Sequence, residues 1–184
     1  HVIGVECDVR YNSAGDTLVI AHDAGQVNDD TLHLFTMLQQ MNDLAGHLRK
    51  SCTIVLDYKT ETHTQAAIDK VENHQKDAQF AHLDLIHLVW RTNINPGRYP
   101  VYFTGGTNVM PEELRKCAFK RYTGIGFRYG DNDAVRLAVN HPHGFKIMLY
   151  SPELSPEVSA FAASLGDRVT LIVDMTRARV QNDI

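Results

Sequence analysis

Apolar, β-branched runs recur along the chain at 2–9, 17–21, 52–58, 85–90, 100–103, 125–129, 146–150 and 169–173. Their length and composition predict strands, and several of the intervals between them carry helical spacing. Leu32, Phe35, Leu38 and Met41 follow one another by threes and predict an amphipathic helix over 31–48, with capping side chains on offer at 28–31. Further helices are predicted over 64–79, 111–116, 133–140 and 156–165. The last has Ser155 as N-cap, Pro156 at the first helical position and Gly166 as its stop.

Alternating strands and helices predict an α/β domain with a mainly parallel sheet. Several strands carry polar residues at their carboxyl ends: His22, Lys59, the 104–108 loop, Ser151 and Asp174. In a (β/α)8 TIM-type barrel that end is where active sites are assembled. The expectation is one barrel domain over 1–184. The chain enters a strand-like segment within a few residues of His1, so a first strand and helix are expected to be missing from it. The segment 91–98, RTNINPGR, reads as an exposed loop from its Asn, Pro and Gly content.

Composition narrows the picture by exclusion. The 184 residues carry a formal net charge of −4, with basic residues scattered among acids, which argues against a nucleic-acid partner. No apolar run is long enough to cross a bilayer, and no secretory signal is visible. The chain reads as soluble, and cytoplasmic and secreted locations both stay open. Cys7, Cys52 and Cys117 are far apart, without metal-knuckle or disulfide-framework spacing, and read as small apolar fillers.

The stretch GVECDVRYNSAGDTLVIAHD, residues 4–23, carries the candidate chemistry. Side chains alternate across a strand, so Glu6 and Asp8 share one face while Val5, Cys7 and Val9 share the other. Two carboxylates held side by side repel, which calls for a cation unless the face is solvated. In CTIVLDYKTET, Asp57 and Lys59 likewise share a face with Val55. Three carboxylates suit a hard divalent cation such as Mg²⁺ or Ca²⁺, and Lys59 could meet phosphate oxygens. The alternative is a Lys59–Asp57 ion pair without a ligand. Trp90 either lines a substrate mouth or packs in the core. The glycines of YFTGGTN, 102–108, form either an anion nest or a plain turn. His22 is singled out among the ten histidines; the others read as surface or loop residues.

The order E-x-D, then H-D closing the next run, then a strand ending D-x-K, resembles the phospholipase C-like phosphodiesterase superfamily and its glycerophosphodiester phosphodiesterase family. The tail GFKIMLYSPELSPEVSAFAASLGDRVTLIVDM resembles that family's last two strands and the helix between them. The resemblance spans most of the chain. It implies a TIM-type barrel that uses one divalent cation, held by Glu6, Asp8 and Asp57. It further implies His22 as acid/base, Lys59 facing the phosphate, and Trp90 and Asp174 near the substrate. The implied partner is a small phosphodiester or a phospholipid, with transient contact to a membrane surface.

Departures from the family pattern bear on the branch. The H-R motif that precedes E-x-D by about thirty residues is not in this chain, and His1, at the start of the same strand as Glu6, is a poor substitute. The third ligand is Asp57, as in venom-type sphingomyelin phosphodiesterases, where the main branch has Glu. The main branch's subdomain after the His is absent, and so is the venom-type cysteine loop. Two alternatives to hydrolysis follow: a catalytically silent barrel that binds a ligand or protein, and a sphingomyelinase D-like lyase that forms a cyclic phosphate.

Overall fold

The computed structural model describes residues 4–60, 63–78, 80–105 and 111–173. The chain divides into two compact units, His1–Tyr102 and Phe103–Ile184.

In the first unit, β1 (Gly4–Asn12), β2 (Thr17–Ile20), β3 (Cys52–Tyr58) and β4 (Leu83–Val89) lie in the order β2-β1-β3-β4. The β1–β2 pair is an antiparallel hairpin; β1–β3 and β3–β4 are parallel. The hairpin turns because the Asn12 side-chain oxygen accepts the Ala14 N–H at 3.1 Å and Asp16 takes a positive φ of 48°. Asn and Asp tolerate both roles better than other residues. Gly4 packs so closely on β3 that a Cβ there would lie 2.3 Å from the Thr53 carbonyl oxygen.

Two helices belong to this unit, α1 (Leu34–His47) and α2 (Thr64–Ala78). Leu34 and Leu38 from α1, and Ala67, Ile68 and Val71 from α2, are buried along with Val9, Leu18, Ile54, Leu56 and Leu85 of the strands. The start expected at Thr31 is wrong by three residues. Ile20 N–H donates to the Leu32 carbonyl at 2.9 Å, so the chain still runs beside β2 there. The 28–31 side chains cap a turn: the Thr31 hydroxyl accepts the Asn28 N–H at 2.8 Å and donates to the Gln26 carbonyl at 2.9 Å. The buried face of α1 is also not the run of threes, since Leu32 is exposed and the buried residues are Leu34, Leu38 and Ala45. Each residue advances about 100° around the helix, so three steps of three carry a row half-way round to the other side.

The strand β5 (Val101–Thr104) falls at the division between the units. The second unit holds α3 (Pro111–Phe119), β6 (Gly124–Arg128), α4 (Asn132–Val139), β7 (Lys146–Ser151), α5 (Pro156–Ser164) and β8 (Val169–Val173). Its strands pair in parallel, β6 with β7 and β7 with β8. Ile125, Phe127, Ile147, Met148 and Leu149 are fully buried against Val135, Ala138 and Phe145, and consecutive buried residues on β7 mark a strand covered on both faces. α5 is capped as expected: the Ser155 hydroxyl accepts the Val158 N–H at 3.3 Å, Pro156 opens the helix, and Gly166 beyond it has φ 76°.

Candidate active site in the first unit

Parallel register between β1 and β3 sets Asp8 directly opposite Asp57, and Glu6 opposite Val55. Alternation then brings Glu6, Asp8 and Asp57 onto one face, where a carboxylate oxygen from each lies within 4.8 Å of the others. Lys59, one residue past β3, is half-buried among them. Its ammonium is 3.1 Å from Asp8 Oδ1 and also pairs with Asp57 Oδ2. Burial alone would lower the Lys59 pKa, but hydrogen bonds and charge attraction from Asp57 and Asp8 outweigh it and hold the ammonium above its ordinary value.

Trp90, just past β4, is 46 % exposed and therefore not the core residue that one reading of the sequence made it. Its indole Nε1–H donates to Asp57 Oδ1 at 3.1 Å, and the Lys59 ammonium stands 5.7 Å from its ring centroid. Asp57, buried at 3 % exposure, thus has a donor for each oxygen. Three carboxylates and one ammonium leave this quartet with an excess of negative charge. An all-oxygen donor set of that charge fits a hard divalent cation.

His22 lies two residues past β2. Its imidazole is exposed, and Nδ1 meets Asp23 Oδ1 at 3.0 Å. A carboxylate accepting from Nδ1–H leaves Nε2 as the basic nitrogen. The backbone, not the side chain, ties this segment to the acidic strand: Ala21 N–H donates to the Asp8 carbonyl at 3.1 Å, and Lys59 N–H donates to the Val9 carbonyl at 2.9 Å. Arg10, which sequence reasoning passed over, lies on the same strand face as Glu6 and Asp8. It donates from Nε and Nη2 to the His22 carbonyl at 3.1 and 2.6 Å, and from Nη1 to the Lys59 carbonyl at 3.2 Å. Its place two residues beyond Asp8 was the signal that could have found it.

The opposite face of β3 holds a second polar group. His87 was expected at the surface or in a loop, yet it is fully buried on β4. Alternation in LDLIHLV gives it the face of Leu83, Leu85 and Val89, and its polarity is met by the Tyr58 hydroxyl, 2.8 Å from Nδ1, and by Glu72 Oε1, 3.5 Å from Nε2. Burial raises the Tyr58 phenol well above its ordinary pKa. Cys7 is pushed up to about 12 by burial and by Asp8, Glu6 and Asp57, so its thiol is no nucleophile. Ser151 belongs to the second unit, where its hydroxyl donates to the Glu153 carbonyl at 2.8 Å. His1, Asp174 and residues 106–108 of the glycine loop lie outside the described residues.

No protein-family model and no curated protein matches the sequence. Solved structures do match. A glycerophosphodiester phosphodiesterase from Parabacteroides distasonis superposes with a TM-score of 0.69 at 15 % identity, over 98 % of this chain and 83 % of its own. A phosphodiesterase from Oleispira antarctica, solved with its product sn-glycerol-3-phosphate, gives 0.64 at 13 % identity over 98 % and 84 %. A putative glycerophosphodiester phosphodiesterase from Galdieria sulphuraria gives 0.63 at 12 % identity, again over 98 % and 84 %. Identities this low speak to architecture alone, and on that ground the chain has the TIM-like α/β fold of the glycerophosphodiester phosphodiesterases.

Proposed function

We propose that the chain is a metal-dependent phosphodiesterase that hydrolyses a small glycerophosphodiester or a phospholipid, built as one (β/α)8 barrel domain over 1–184. The observation that carries this reading is the convergence of Glu6, Asp8, Asp57 and Lys59 at adjoining strands, in a chain with this fold. Glu6, Asp8 and Asp57 would hold one Mg²⁺ or Ca²⁺, which when bound neutralises charge on the phosphate as a Lewis acid.

The chain's own residues supply the rest. Lys59 offers its ammonium to a phosphate oxygen, a charge-assisted contact in a partly desolvated place. His22 moves a proton at Nε2, with the Asp23 carboxylate accepting from Nδ1–H and holding that tautomer. Trp90 keeps Asp57 oriented and presents its exposed ring to the substrate, and Asp174 contacts the substrate from the other end of the chain. A substrate carried in a membrane would be met by transient contact with the lipid surface.

The test is turnover of a panel of glycerophosphodiesters, lysophospholipids and sphingomyelin with Mg²⁺ or Ca²⁺, with and without chelator, beside His22→Ala. Hydrolysis that needs both the ion and His22 supports the reading. A cyclic phosphate as the sole product would turn it to the lyase, and silence on every substrate would turn it to a ligand-binding barrel.

A further inference from the structure

We propose that Arg10 is a positioning residue that locks the His22 and Lys59 segments onto the strand bearing Glu6 and Asp8; its catalytic consequence rests on the phosphodiesterase reading above. β2 ends at Ile20 and β3 at Tyr58, so both candidate residues sit where sheet hydrogen bonding has stopped. Each segment is nevertheless held to β1 from two sides. On the amino side, Ala21 and Lys59 N–H groups donate to the Asp8 and Val9 carbonyls. On the carboxyl side, the His22 and Lys59 carbonyls accept from one guanidinium, rooted at Arg10 on that same strand.

Only arginine has the donors for this. Its planar fork presents five N–H groups in fixed directions, so it grips one carbonyl with two of them and turns a third to another carbonyl. A lysine ammonium at the end of a flexible stem cannot hold both in one geometry. Fixing two loop-borne groups against the acidic strand is the arrangement that turns proximity into rate, since misplacement by about 1 Å can cost about 100-fold. Strand-end loops left to themselves open easily.

The experiment compares wild type, Arg10→Met and Arg10→Lys by amide hydrogen exchange and by steady-state kinetics on whichever panel substrate turns over. In Arg10→Met, amides at 21–27 and 59–60 should exchange at least ~10-fold faster while Ile54–Leu56 keep their protection, with Arg10→Lys recovering part of the difference. The kinetic expectation is a 10- to 100-fold loss of kcat with KM changed less than about threefold, again partly restored by Arg10→Lys. Unchanged exchange at 21–27 overturns the clamp. Protection lost equally throughout the unit overturns the positioning role, because Arg10 would then merely support the fold. A wild type that turns over no substrate overturns the phosphodiesterase reading and the catalytic consequence with it, while the exchange data alone still decide the clamp.

Discussion

Removing the Lys59 ammonium, as in Lys59→Met, tests the acidic site without assaying catalysis. In the wild type Lys59 pairs with both Asp8 and Asp57, whose side chains are only 26 % and 5 % exposed. Methionine keeps the length of the side chain and deletes the charge, so two partly buried carboxylates are left facing each other. Breaking a fully buried ion pair by removing one partner costs about 3–5 kcal/mol. Lys59 is 20 % exposed and Asp57 keeps its bond from Trp90, so solvent and that donor reduce the expected cost to about 1–3 kcal/mol. For a chain of this size that corresponds to roughly 2–12 °C in Tm. Thermal unfolding in EDTA should show this loss. Titrating Mg²⁺ or Ca²⁺ should then raise Tm further in Lys59→Met than in wild type, because the ion no longer competes with an ammonium and its binding stabilises by mass action. Equal increments of Tm in both proteins, or no loss in EDTA, would refute the argument that Lys59 and a cation serve the same carboxylates.

Three other perturbations probe what surrounds the site. Gly4→Ala places a Cβ 2.3 Å from the Thr53 carbonyl oxygen and should destabilise by about 1–3 kcal/mol in urea unfolding; a neutral result would mean β1 and β3 are less tightly packed at that end. Tyr58→Phe strips His87 of a buried partner at a cost of about 1–3 kcal/mol, and Tyr58→Phe with His87→Leu should cost less than the two single changes together, read from a double-mutant cycle. Burial would raise the Glu72 pKa, but His87 and the Tyr99 and Arg98 N–H groups outweigh it and hold the carboxyl below its ordinary value near 4.5. A depressed acid stabilises the fold above its unfolded pKa and loses that contribution as pH falls through the folded one. Wild type should therefore lose more stability than Glu72→Gln between about pH 5 and pH 3, and parallel curves of Tm against pH would contradict this.

Local periodicity determined a good deal of this protein from its sequence. Every expected strand and helix that falls among the described residues has its counterpart, because runs such as CTIVLDY and the Ser155-Pro156 helix start carry their instructions within a few residues. The sharing of a face by Glu6 and Asp8 is of the same kind, since a period of two needs no knowledge of neighbours. Register is different. That Asp57 stands opposite Asp8, and not one residue displaced onto the other face, follows from pairing between strands some fifty positions apart, and only the packed sheet decides it. The same holds for α1, whose buried face was set by the sheet it covers and not by its most regular row of apolar residues. His87 looked like any surface histidine until Tyr58 and Glu72 were brought to it from β3 and α2. Arg10 looked like a polar residue on a strand until the His22 and Lys59 carbonyls came within reach of its guanidinium. A side chain's chemistry is written in the sequence, whereas its partners are brought to it by the tertiary fold.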